Sequence, residues 1–491
     1  MAEIDSSQIK FPAYMVYCVF IACLGSFSNG WVIGSPNVPG EITHHCLNGN
    51  AHVQNSLFPD CLPMDDALWG FAVASFCVGG LLGGLSGGMI QTRLGRKRTI
   101  MLNNLGFIFG GILIATAVNS SMFVVGRVLC GLSCGIASLN FPNFICEKSY
   151  IPIAFFIVIG ILLSSVIGLP LATVSLWRVN YVIIAAPAII QFFLMNTCVE
   201  SPRYLVSINR IEEAKAILQK LRGKASIDVE FYDILEGSLG TAIAQLMIKQ
   251  YGLSDTLKKD QEADINEELI VIPPQASETM NVIQVFMDPV IRRIALTVIG
   301  LHAFQQLVGI NAVMYYSTTI FNLAFDQETS KYMTIITTAV NFVMTILAVV
   351  LVDRMGRRPL LLVANMGACL FCILLVIGYV YNIPALLVVS VFTYVASFAI
   401  GIGPIPWLIT SELTPTYASS SVGSLGTCVN WSVNFLIGQC FPVIFAHIAG
   451  YSFVIFAVFA ALSFLFTLFF LPETKGRSLE SIVRGYERYR N

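Results

Sequence analysis

The sequence predicts an all-α membrane protein: twelve transmembrane helices in two pseudo-symmetric six-helix bundles, with a cytoplasmic helical insert between them. Three observations predict it. Charge is scarce, at 12% of 491 residues against 56% hydrophobic, where a soluble domain carries about 25% charged residues. Apolar runs of about twenty residues recur along the chain, each long enough to cross a bilayer core. One loop motif occurs twice, as TRLGRKR at 92–98 and DRMGRRP at 353–359, an offset of 261 residues.

The apolar runs lie near 12–35, 67–90, 99–118, 122–145, 151–174, 178–198, 291–320, 332–352, 359–380, 384–410, 420–447 and 450–471. The first is too long for a signal-peptide core and has no cleavage-site pattern, so it is expected to remain in the mature protein. An even number of spans puts both termini on one side of the membrane. All of the 28 Lys and Arg except Arg127, Arg178 and Lys331 then fall on that side, and the long loop 37–66 has none. Positive residues stay inside, so both termini and 199–290 are expected to be cytoplasmic, with the plasma membrane the expected host. The boundaries read as an N-terminal bundle at 1–198, a linker at 199–290, a C-terminal bundle at 291–471 and a tail at 472–491. Within the linker, RIEEAKAILQKLRG (210–223) sets Ile211, Ala214, Ile217, Leu218 and Leu221 on one helical face. The acidic stretch 255–268 reads as linker.

A net charge of −1 gives no electrostatic case for nucleic acid. Most of the thirteen cysteines lie within spans and read as small apolar packing. Cys46 and Cys61 share the outer loop, where either a disulfide or two free thiols fits the sequence. Asn119-Ser120-Ser121 matches a glycan acceptor, but its loop is so short that an unmodified asparagine is expected. No nucleophile, base and metal-ligand residues gather along the chain, so neither an enzyme nor a bound cofactor or metal is expected, and no protein partner is required.

The stretch HAFQQLVGINAVMYY (302–316) is the polar anomaly of the spans. An unpaired amide in hydrocarbon costs roughly 4–8 kcal/mol on alkane scales, yet Gln305, Gln306 and Asn311 sit here together. On an ideal helix Gln305, Gln306 and Gly309 share a face while Asn311 points away. A break near Gly309 would bring Asn311 back, and such breaks are tolerated at membrane depth where backbone lines a cavity or is buried in protein. Amides also cement helices to one another; three in one span favour a polar cavity. Asn341, and Asn430 with Asn434 at i, i+4, extend the set. Trp407 follows GIGPIP, where two prolines and two glycines interrupt a regular helix. Internal repetition of two six-span units is characteristic of secondary transporters, whose substrate site lies between the halves.

GRVLCGLSCG (126–135), ESPRYL (200–205), QQLVGINAVMYY (305–316), DRMGRRP (353–359), GPIPW (403–407), NWSVNF (430–435) and PETKGRSLE (472–480) occur in order along nearly the whole chain. By these motifs it resembles the sugar porter family of the major facilitator superfamily, and within it the facilitative hexose transporters. The resemblance implies that Gln305, Gln306, Asn311, Asn341, Trp407 and Asn434, with Asn430, contact a hexose such as glucose. It implies an outer gate at Tyr315 and Tyr316. An inner gate would draw on Glu147, Glu412, Arg93, Arg96, Asp353, Arg354, Arg357, Arg358, Glu200 and Arg203. Uncharged amides suit hydroxyls, each donating and accepting, and an indole suits the less polar ring face.

The chain departs from the family at several points. Ala154 stands near a sugar-contacting glutamine, the link after Glu147 is short, and Ser419 replaces an arginine expected to pair with Glu412. Val199 precedes ESPR, Thr92 opens the first loop motif, Ala399 replaces a glutamate, and HAF (302–304) replaces a tripeptide linked to excluding fructose. Proton coupling needs an ionisable group in the pathway. The span 1 position that is aspartate in proton-coupled relatives is Asn29, so a uniporter working by alternating access is expected. Arg127, at a place where proton-coupled members use an arginine, keeps a symporter as the alternative. A non-transporting sensor is expected to need a longer tail.

Overall fold

The computed structural model describes residues 12–46, 58–144, 150–174, 176–223, 227–239 and 280–477. Helices long and apolar enough to cross a membrane form eleven segments, of which the last, Tyr417–Phe470, runs for 54 residues. At 1.5 Å per residue that is far more than one crossing needs. It is two helices, Thr416–Ile448 and Ser452–Phe470, meeting at a short turn where Ala449 takes φ 45. Among the described residues twelve membrane helices result: α1 (Ala13–Gly34), α2 (Asp66–Leu94), α3 (Arg96–Ala115), α4 (Ser120–Phe144), α5 (Tyr150–Leu171), α6 (Trp177–Thr197), α7 (Pro289–Phe321), α8 (Gln327–Met355), α9 (Arg357–Val380), α10 (Pro384–Leu413), α11 (Thr416–Ile448) and α12 (Ser452–Phe470). Large apolar side chains that remain exposed, such as Met89, Phe109, Phe193 and Phe469, face outward from the bundles, as lipid contact requires.

Inside, close approach does the packing. Gly79 and Gly83 of α2 lie against α4, where Gly131 and Gly135 face back. A Cβ on Gly79 would sit 2.0 Å from the Val128 carbonyl oxygen, and one on Gly131 1.8 Å from that of Phe76. Only glycine permits this approach, the small-residue packing that membranes favour.

The repeated loop motif forms the same turn twice. Gly95 (φ 85, ψ 169) caps the junction of α2 and α3, and Gly356 (φ 91, ψ 167) that of α8 and α9. In each, a glutamate from beyond the last helix of the same bundle receives the orphan N–H groups that open a helix. Glu200 accepts from the backbone of Arg96 at 2.9 Å and Lys97 at 3.1 Å; Glu473 accepts from Arg357 and Arg358, both at 3.1 Å. A carboxylate at a helix N-terminus also meets the positive end of the macrodipole. We call this the basic end of the molecule, and the end bearing the loop between α1 and α2 the disulfide end. There Cys46 and Cys61 are joined, with Cα atoms 5.7 Å apart.

The amphipathic segment forms a helix at Ile211–Arg222, with Ile211, Ala214, Leu218 and Leu221 buried. It packs on Leu205, Phe231, Ile234 and Leu235. The acidic stretch 255–268 lies outside the described residues.

Burial alone would raise the Glu473 carboxyl, but N–H donors from Lys475, Arg357, Arg358 and Thr474 outweigh it and hold the group below its ordinary 4.5. A depressed folded-state value adds stability that is whole above 4.5 and is lost as the pH falls through the lowered value. The melting temperature in detergent should therefore drop more steeply below pH 4.5 for the native chain than for Glu473→Gln, as a pH series of thermal unfolding would read.

Candidate functional site

Helix α7 is two helices. Pro289–Leu307 ends at Val308, Gly309 takes a left-handed conformation (φ 95, ψ 17), and Ile310–Phe321 resumes. A Cβ at Gly309 would strain the backbone and approach the Phe456 ring to 2.5 Å. The break frees the Val308 carbonyl, which accepts from the Tyr394 hydroxyl at 2.9 Å. It also turns Asn311 back, so that its amide donates to Gln306 Oε1.

Helix α10 is broken too. A π-helical turn spans Phe398–Ile402, and Pro404 and Pro406 follow. In a regular helix the Ile402 carbonyl would accept from residue 406, but Pro406 has no N–H. Gln305 of α7 fills the vacancy: its Nε2 donates to Ile402 O at 3.1 Å and to Gly403 O at 2.6 Å.

From there an amide chain crosses to α11. Asn430 Nδ2 donates to Gln305 Oε1 at 2.7 Å, and Gln306 Nε2 donates to Asn430 Oδ1 at 3.1 Å. His302 joins it, with Nδ1 3.4 Å from Asn430 Nδ2 and Nε2 3.1 Å from Thr410 Oγ1. Trp407 reaches the group through His302, the rings meeting edge to face at 4.6 Å. One turn along α11, Asn434 Oδ1 accepts from the Tyr315 hydroxyl at 2.8 Å. The structure thus draws Gln305, Gln306, Asn311 and Asn430 into one network, with Trp407 at its edge and Asn434 beside it. Asn341 of α8 stands apart, its side chain without a hydrogen-bond partner among the described residues.

An amide offers two N–H groups and two acceptor lone pairs, so the spare capacity can be counted. Gln305 has no N–H left. Gln306 retains one N–H and one lone pair; Asn311 retains its carbonyl oxygen and one N–H; Asn434 retains its whole amino group. All six amide residues are buried, yet no nitrogen or oxygen of their side chains is both sealed from solvent and unpartnered. The atoms with no partner at all, Asn311 Oδ1, Asn434 Nδ2 and both polar side-chain atoms of Asn341, are therefore not sealed by packing.

At the disulfide end the two bundles are joined. Asn37, after α1, donates to the Met314 carbonyl at 2.8 Å and to Ser317 Oγ at 2.7 Å on α7. Gln439 of α11 donates to the Ala67 carbonyl on α2 at 3.1 Å. Tyr315 and Tyr316 are buried at this join, Tyr316 donating to Gly438 O at 2.9 Å. At the basic end Arg357 grips Glu412 at 2.9 Å and lies 3.8 Å from Asp353, while Thr474 donates to the other oxygen of Glu412 at 2.5 Å. Arg358 donates to Leu468 O, and the Arg354 carbonyl accepts from Lys475. Arg96 lies over the Tyr204 ring, and Tyr204 donates to the Arg93 carbonyl at 3.3 Å. Arg203 sits on the short helix Pro202–Ser207. Glu147 lies outside the described residues.

A family model described as "Sugar (and other) transporter" matches residues 18–486. The chain belongs to that family. It is 34% identical over 499 residues to the facilitated glucose transporter member 3 of Ovis aries, spanning 97% of this chain and 94% of that one, and 32% identical to that of Homo sapiens, spanning 97% and 93%. The solved proton:xylose symporter XylE, bound to 6-bromo-6-deoxy-D-glucose, matches with a TM-score of 0.72 and 24% identity over 96% of this chain and 99% of that one. An inward-open form of XylE from E. coli gives 0.69 at the same identity. The fold is that of the major facilitator superfamily.

Sequence reasoning missed three residues of this sugar transporter family member. Asn37 joins the bundles, yet it lies in a loop with no repeat to mark it. Tyr394 closes the break in α7 from a distance in sequence. Glu473 was legible: it follows the last helix of its bundle as Glu200 follows α6, within PETKG. Glu412, whose expected partner position holds Ser419, has Arg357 instead.

Gln305→Leu should leave the Ile402 carbonyl without a donor and cost about 1–3 kcal/mol, seen as a lowered melting temperature. Asn341→Leu, which removes no internal hydrogen bond, should melt with the native protein in the same assay.

Proposed function

We propose that the chain carries a hexose such as glucose across a membrane, down its gradient, by alternating access of two bundles around the amide network. The observation that supports it best is the spare hydrogen-bonding capacity of Gln306, Asn311 and Asn434, with a partly buried Trp407 at the edge of their network and Asn341 unpaired on α8. Neutral amides satisfy hydroxyls in both directions and attract no ion. The name of the relatives compared above, facilitated glucose transporter, points the same way. Sugar would be held chiefly by the C-terminal bundle, with Gln305 and Asn430 positioning their neighbours. The join at the disulfide end supports reading this as a state sealed at Tyr315 and Tyr316. With the basic end cytoplasmic in the plasma membrane, that state would face the cell interior, and the N–H and guanidinium groups held by Glu200, Glu412 and Glu473, each within one bundle, would keep the bundles rigid as they rock.

Carriage without protons is supported by Arg127. It is fully buried; Nη1 and Nη2 donate to the Val32 and Val73 carbonyls, each at 2.7 Å, and the guanidinium lies over the Phe76 ring, while Nε has no partner among the described residues. Among the described residues it pairs with no carboxylate, and Asn29 offers an amide that cannot ionise. Nothing in this reading calls for covalent chemistry.

Counterflow of labelled hexoses in liposomes holding the purified protein tests it. Exchange should proceed equally with and without a pH gradient. Asn341→Ala should reduce it by about tenfold, the loss of one neutral hydrogen bond of roughly 1.5 kcal/mol, with the melting temperature unchanged. No exchange of any hexose would refute carriage, and exchange that collapses without a proton gradient would refute the uniport.

A further inference from the structure

The short helix Gly40–His44, between α1 and α2, presents three metal-ligand side chains in a single turn: Glu41, His44 and His45. Their ligand atoms lie within 4.8 Å of one another. Adjacent residues on a helix point about 100° apart, yet the two histidines converge. They do so because the helix ends at His44 and His45 takes an extended backbone, φ −87 and ψ 101. The imidazole rings meet edge to face at 4.2 Å.

The site is built before any ion arrives. His44 is buried, and its Nδ1 bonds the Gly40 carbonyl at 2.6 Å. This leaves Nε2 with the lone pair, the backbone-carbonyl orientation that metal-binding histidines use. Trp69 stacks on the ring at 4.4 Å with planes 5° apart. The disulfide at Cys46 follows at once, and the Leu62 N–H donates to the Thr43 carbonyl at 2.9 Å. His45, with 58% of its side chain exposed, gives an ion its way in. Two imidazoles and a carboxylate, with a fourth position for water, is a zinc-type ligand set.

We propose that Glu41, His44 and His45 bind a divalent transition-metal ion of the zinc class, and that the bound ion holds the disulfide end closed. The second clause follows from the two oxygens of Glu41. Oε2 lies 3.7 Å from His45 Nδ1, while Oε1 accepts from Thr319 of α7 at 3.4 Å. Coordination through Oε2 fixes the carboxylate in the position that reaches across to the other bundle, so the ion binds the closed state more tightly and shifts the population toward it. Only this clause rests on the transport reading; binding of the ion does not. The sequence, read alone, gave no expectation of a metal, because its ligands converge only through the helix end at His44.

The test begins with purified, tag-free protein stripped with EDTA and titrated with ZnCl2 by calorimetry. One ion per chain should bind, and His45→Gln or Glu41→Gln should weaken binding by about tenfold or more, as losing even an outer-shell partner of a metal does. Co2+ should give a visible absorption band in the native chain that His45→Gln abolishes. Zn2+ should slow hexose counterflow by the native protein, EDTA should restore it, and His45→Gln should be indifferent to both. Absence of zinc binding, or equal binding by the Glu41→Gln/His45→Gln double variant, overturns the site. Stoichiometric binding that leaves exchange unchanged in an actively exchanging protein overturns the closing effect.

Discussion

A backbone carbonyl stripped of its donor cannot be left bare inside a membrane, and two such groups organise the centre of this protein. The break in α7 frees Val308, and Pro406 in α10 frees Ile402. Tyr394 answers the first and Gln305 the second. Because Gln305 is anchored on one helix and donates into another, its carbonyl oxygen is presented at a fixed place, where Asn430 docks. Gln306 then docks on Asn430, and Asn311 on Gln306. The network is thus a repair of irregular backbone that happens to leave unpaired amide groups in a row. Irregularity supplies both the need for polar side chains and the geometry in which some of them remain free.

This reasoning separates residues that composition cannot. Gln305 and Gln306 are neighbours of one type, and from sequence both read as ligands. Their positions differ: one is consumed by the protein, the other has a hydrogen and a lone pair to spare. The same logic distinguishes Asn430, whose amino group is committed to Gln305 and His302, from Asn434, whose amino group is not.

The sequence made the helices and the polar stretch legible because both are local. Hydropathy marks a span wherever it lies, Gly309 between two apolar half-helices signals a break, and the paired loop motifs announce a repeated unit. What it hid were partnerships between distant positions. Nothing local to Tyr394 says that it faces Val308, and nothing around Asn37 says that it meets Ser317. The turn at Ala449 lies between two apolar helices without a charge to mark the boundary. Glu412 shows the converse: a missing arginine at 419 suggested a lost ion pair, whereas Arg357, remote in sequence, occupies that role.

The two faces of the molecule are held by different kinds of force. Asn37 fastens one face through neutral donors and acceptors, sheltered from water. At the opposite face each bundle is braced internally by carboxylates against guanidinium and helix termini, partly wetted, where dissolved ions weaken attraction over about 8 Å at physiological strength. A change in the surrounding electrolyte therefore acts on the internal order of each bundle at that face and leaves the join that Asn37 makes between them largely untouched.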